Sequence, residues 1–284
     1  MHIRNPVEWG VDQIRSAGTA IESIGWAGHR TGEAPTVRRI APADLRDALT
    51  RGLDDFAAFR SDVVFLCVIY PLVGLVLARL VFGYELLPLL FPLASGFALI
   101  GPVAAVGLYE MSRRREAGAE VGWADAFGVF HAPSFGKILL FGLVLMAIFL
   151  VWLNAAIAIY GLTLGPDQPA SVGAFVHDLF ATGRGWALIG IGIGVGFLFA
   201  VLVLAISVVS VPLLLDRDVG LGMAIRTSLR AVAANPGPMA AWGLIVATGL
   251  AVGSIPLFLG LIVVMPVLGH ATWHLYRRVV APPN

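Results

Sequence analysis

The stretch GPVAAVGLYEMSRRR, Gly101 to Arg115, constrains this chain more than any other. It is the end of an apolar run that stops on three consecutive arginines, Arg113, Arg114 and Arg115. A helix leaving a bilayer on its cytoplasmic side ends this way, because arginine is costly in hydrocarbon and is retained on the inner face. A later run ends on Arg277 and Arg278, and another on Asp216-Arg217-Asp218. Composition agrees with this reading. Of the 284 residues 58% are hydrophobic and 13% charged, with a mean hydropathy of +0.86. A soluble domain holds about 45–50% apolar and about 25% charged residues, so the chain reads as a polytopic membrane protein. A net charge of +1 gives no basic excess for nucleic acid. The single cysteine, Cys67, has no internal disulfide partner. The N-terminus, MHIRNPVEWGVDQIR, lacks the apolar core of a signal peptide.

Residues 1–36 read as an N-terminal cytoplasmic segment, amphipathic over Pro6 to Trp26, followed by the polar linker GHRTGEAPT. The membrane domain is placed at 37–278, with 279–284 as a tail. A second amphipathic segment, Pro42 to Phe59, has an apolar stripe of Leu45, Ala48, Leu49, Gly52, Leu53 and Phe56. Asp54 and Asp55 lie off that stripe. It is expected to lie flat at the interface.

Six spans follow, at about 63–82, 86–111, 138–162, 186–215, 239–253 and 257–276. Roughly 20 apolar residues at 1.5 Å rise cross the hydrocarbon. Thr163 to Gly183 is the longest outer loop. The expected fold is therefore an all-α membrane protein of about six helices in three hairpins. Each hairpin is preceded by a cytoplasmic amphipathic helix: Pro42–Phe59, Trp123–Phe130 and Val219–Asn235.

Nearly all Lys and Arg outside the N-terminal segment fall on one side of this scheme: Arg38, Arg39, Arg46, Arg51, Arg60, Arg113 to Arg115, Lys137, Arg217, Arg226, Arg230, Arg277 and Arg278. Arg184 and Arg79 fall on the other. Both termini are then cytoplasmic. Arg113, Arg114, Arg115, Arg277 and Arg278 act as charge anchors at that face. The order of surface segment, span, turn, span and arginine recurs. Pro102-Val103 precedes Arg113-Arg114 by the interval at which Pro266-Val267 precedes Arg277-Arg278. We read a threefold internal repeat.

Few residues suit chemistry. His270 and His274, four apart, share a helix face and have the spacing of two ligands to one metal. Gly190, Gly192, Gly194 and Gly196 give two overlapping GxxxG spacings, which favour close helix packing in lipid. Asn154 is expected to bond across to another helix. No Asp, Glu, Lys or Arg stands in the middle of a predicted span, whereas ion-coupled transporters use such groups. No phosphate loop or nucleophile elbow is present.

Three stretches resemble a bacterial family of predicted integral membrane proteins known only as a domain of unknown function: Val37 to Phe59, GPVAAVGLYEMSRRRE and PLLLDRDVGLGMAI. The likeness runs over Val37 to Arg278. Members are sometimes labelled as similar to the first subunit of cytochrome c oxidase. That subunit holds haem and copper on several intramembrane histidines, and only His270 and His274 are candidates here, so the label is not carried over. The resemblance implies an inner-membrane location and supplies no catalytic residue. The expected function is a non-enzymatic accessory or scaffold protein without cofactor. Its partners are membrane lipids and other membrane proteins or a second copy. A transporter or lipid-handling membrane protein for an apolar or zwitterionic substrate is the alternative, and a metal or redox role at His270 and His274 a weaker one.

Overall fold

A computed structural model describes residues 34–67, 72, 87–167, 169–256 and 258–282. Among them the chain is helical, with one isolated antiparallel bridge between Val37 and Val280. The helices are α1 (Pro42–Cys67), α2 (Leu90–Ala104), α3 (Val106–Glu116), α4 (Phe135–Thr163), α5 (Val172–Ala181), α6 (Gly183–Ser207), α7 (Ser210–Asp216), α8 (Leu221–Ala234), α9 (Pro236–Ser254) and α10 (Leu261–Val279). Two 3-10 segments, Leu87–Leu89 and Trp123–His131, join them.

Among the described residues four stretches are long and apolar enough to cross a membrane: Phe91–Glu116, Phe135–Thr163, Gly183–Asp216 and Pro236–Ser254. They match four of the expected spans with shifted ends. The expected span 63–82 lies mostly outside the described residues. α10 is not among the four, because His270, His274, Arg277 and Arg278 lower the hydropathy of its last turns. Two of the four are bent where prolines predict it. Pro102 lies just before the break at Ala105. Pro212 cannot donate to Val208 four residues back, and the chain breaks there between α6 and α7.

Three expectations need correction. The helix that begins at Pro42 does not end at Phe59. α1 runs unbroken to Cys67 and packs antiparallel along α10, more extensively than any other pair of helices. Its buried stripe is Leu45, Ala48, Gly52, Asp55 and Phe59, while Leu53 is exposed. At Gly52 the helices nearly touch: a Cβ there would lie 2.7 Å from the Ala271 backbone nitrogen and 2.8 Å from the Val267 carbonyl. The supposed outer loop contains α5, capped by Ser171 and turned tightly into α6, which Thr182 caps. The tail, in turn, is tied back. Ala281 donates to the Thr36 carbonyl and Arg38 to that of Val279.

The arrangement at the arginine-bearing end is cyclic. α1 packs on α10, the 123–131 segment on α3, and α8 on α7. The three inner helices α3, α7 and α10 contact one another pairwise. Large side chains fill the centre, among them Met111, Leu213, Trp273 and Tyr276. Farther along the spans, Trp152 of α4 is buried and donates to Ser95 of α2 at 2.9 Å, so its indole N–H is satisfied inside the apolar region.

Candidate functional site: a polar cluster and an apolar groove

The stripe of α1 brings Asp55 to the place where α3 and α10 meet. Ser112 of α3 donates to Asp55 Oδ2 at 2.6 Å, and its oxygen lies 2.8 Å from His270 Nδ1. His274 Nε2 lies 2.8 Å from the same carboxylate oxygen, and Arg115 reaches Oδ1 at 2.5 Å. The Arg115 guanidinium also sits 5.5 Å from the centre of the Phe59 ring. Asp55, Ser112 and His270 are buried. Burial alone pushes the Asp55 carboxyl up, but the hydrogen bonds from His274 and Ser112 outweigh it and hold the group below the usual carboxylate range. A polar cleft of about 250 Å³ opens beside the cluster, reached by Arg51 and Glu116.

The two histidines therefore face one cluster, as their spacing predicts. Their ring nitrogens are directed at Ser112 and Asp55, and His270 Nε2 is buried with no hydrogen-bond partner. Among the described residues no three His, Cys, Asp or Glu side chains are grouped as a metal site. Asp55 and Ser112 were not singled out from the sequence. A signal for Asp55 existed: continuing from Leu45, Ala48 and Gly52 by steps of three and four lands on Asp55 and Phe59.

Each of the five arginine anchors is engaged by an acid. Arg113 grips Glu110 with two nitrogens at 2.8 Å, and Arg114 bridges Glu110 and Asp125. Arg277 pairs with Glu116 at 3.0 Å and Arg278 with Asp47 at 2.7 Å. Asp216 accepts a 2.6 Å bond from Tyr276. The boundary motif thus ties α3 to α1, to the 123–131 segment and to α10 by ion pairs, while Arg113 and Glu110 pair within α3.

The glycine run behaves differently from the expectation. Added Cβ atoms at Gly190, Gly192 and Gly194 would meet open space, and only Gly196 packs closely, 3.2 Å from the Trp152 ring. Among the described residues, Gly190, Gly192 and Gly194 bring no second helix into close contact. Asn154 also departs from expectation: its amide donates to the Leu150 carbonyl of its own helix at 2.8 Å.

The second feature is a groove of about 380 Å³ bounded by α2 and α3, α6, α9 and α10. It exists because α9 leans on α10 and barely touches α6. Small residues line it, including Gly101, Ala105, Ala200, Ala240, Gly243 and Ala247. Its Ser207 and Thr272 hydroxyls are already spent on their own helices, each donating at 2.6 Å to the carbonyl four residues back. The wall presents hydrocarbon to whatever enters.

A family model described as predicted integral membrane protein (DUF2189) matches residues 90–216. The resemblance to a membrane family of unknown function holds there, over α2 to α7, a narrower stretch than Val37 to Arg278. No curated protein and no solved structure matches the chain.

Proposed function

We propose that this is a lipid-handling protein that takes the hydrocarbon portion of a membrane lipid into the groove between α6 and α9. The observation that carries the reading is the groove wall, apolar and with its hydroxyls self-satisfied. Such a wall rejects polar solutes, which would leave hydrogen bonds unmade, and accepts acyl chains by contact alone. The test is to purify the chain in mild detergent and quantify extracted lipid. Ala247→Trp, which projects an indole into the groove, is expected to lose the bound lipid while keeping its helicity. Equal lipid content in both proteins overturns the reading.

The topology that goes with this function is six spans in three hairpins, in the bacterial inner membrane. Both ends are cytoplasmic, and residues 1–36 form an appended segment. The one-sided distribution of arginine supports it. The threefold repeat draws support from the cyclic packing, in which each surface segment sits on the helix that closes the hairpin before it.

A second reading has its own observation. Gly190 and Gly194 lie on an exposed face of α6 beside Ile191, Ile193 and Phe197. Small residues left open in lipid suit the close approach of another helix. In this reading the protein is a non-enzymatic scaffold that contacts other membrane proteins or a second copy. Cross-linking from position 190 in native membranes tests it.

A further inference from the structure

We infer that the groove selects an anionic glycerophospholipid of the arginine-bearing leaflet, whose phosphate is held by Arg38, Arg39, Arg226 and Arg230. The inference rests on the groove reading above and adds the headgroup to it.

Three observations meet at one place. The first is charge without partners. Nearly every other arginine at this end pairs with an acid, yet Arg38, Arg39, Arg226 and Arg230 are exposed and make no ion pair among the described residues. Like charges gathered this way favour an anion from outside the chain.

The second is how they are gathered. Asn235 stands buried at the corner between α8 and α9. Its side chain accepts from the Ile40 N–H at 2.8 Å and donates to the Arg38 carbonyl at 3.0 Å. This fixes the Arg38-Arg39 segment against the C-terminal end of α8, where Arg230 stands four residues before the final Ala234. Arg226 and Arg230 share a face, and Leu229 between them is 44% exposed, as in a helix lying at a lipid surface.

The third is the continuity of this corner with the groove. Val209 donates to the Ser228 hydroxyl at 3.3 Å, which seats α8 under the α6–α7 break. Ser207 and Val208 at that break line the groove's end. α9 starts at the same corner, and its groove-lining residues run from Ala240 to Leu250. At 1.5 Å per residue that run covers about 15 Å, half of the roughly 30 Å hydrocarbon core and so the depth of one leaflet. A lipid with its phosphate at the arginines has its chain at the right depth.

The experiment reconstitutes the full chain in nanodiscs of equal phosphatidylglycerol and phosphatidylcholine. It then counts retained lipids by native mass spectrometry after release into detergent. The wild-type chain is expected to retain phosphatidylglycerol in preference. The double variants Arg226→Gln/Arg230→Gln and Arg38→Gln/Arg39→Gln should each lower that preference, by roughly fivefold per arginine removed, while total retained lipid stays the same. Arg46→Gln, at an exposed arginine on α1, should change nothing. Equal retention of both lipids by the wild type overturns the headgroup assignment and leaves the groove reading standing. So does an equal effect of Arg46→Gln. No retained lipid in the wild type, or none displaced by Ala247→Trp, overturns the groove reading and this inference with it.

Discussion

Ser112 and Asp55, 57 residues apart in the chain, share a 2.6 Å hydrogen bond in the buried seam between α1 and α3. The bond orders a larger unit, because the same carboxylate receives His274 and Arg115. Removing the acid leaves three polar groups facing a vacated site, whereas removing the hydroxyl leaves the carboxylate two partners. Asp55→Ala is therefore expected to destabilise by about 2–4 kcal/mol and Ser112→Ala by about 1–2 kcal/mol. Thermal unfolding in detergent checks the order. A larger loss in Ser112→Ala contradicts it.

The same carboxylate makes the protein sensitive to acid. Asp55 titrates below its unfolded value because His274 and Ser112 hold its ionised form against the cost of burial. Asp47 is lowered too, first by its bond to Arg278. A carboxyl depressed on folding stabilises fully above the unfolded value of about 3.9, and that contribution is lost as pH falls through the folded value. Through these two carboxylates the unfolding temperature should fall below about pH 4. In Asp55→Asn the fall should be shallower. An acid profile identical to wild type removes Asp55 as its source.

Two glycine-to-alanine changes should move in opposite directions. At Gly52 the new methyl meets the Ala271 and Val267 backbone, which cannot give way, so Gly52→Ala should cost about 1–3 kcal/mol. At Gly190 the methyl meets open space, and helix propensity predicts a gain of up to about 1 kcal/mol. A Gly190→Ala chain that is stable alone but loses a cross-linked neighbour in membranes speaks for the scaffold reading.

Asn235→Ala removes hydrogen bonds to Ile40, Arg38 and Ala231 at once. The Arg38-Arg39 segment should then loosen, and trypsin should cut after these residues faster than in wild type. Unchanged cleavage means that the bridge from Val37 to Val280 suffices alone.

The apolar runs and their arginine ends were legible because bilayer thickness and the cost of charge in hydrocarbon act on local sequence. The proline breaks at Ala105 and Val208 are local too. The polar cluster was not legible in full. Asp55, Ser112 and His274 come from three separate helices, and only the packing of α1 along α10 brings them together. Placing Leu53 on the apolar stripe and Asp55 off it followed from the usual rule for apolar residues. In a membrane that rule weakens, since an exposed leucine faces lipid at no cost. The glycine run shows a related limit: spacing marks a face able to pack without naming what packs there.

The bridge between Val37 and Val280 has a consequence for counting. Backbone hydrogen bonds from Arg38 to Val279 and from Ala281 to Thr36 hold the two segments at the same depth, so the chain between them is expected to leave and re-enter one side equally often. Its membrane crossings have even parity. Reporter fusions inserted before Thr36 and after Ala281 must then give the same sidedness. Inserting or deleting a single crossing anywhere between would have to tear this closure open.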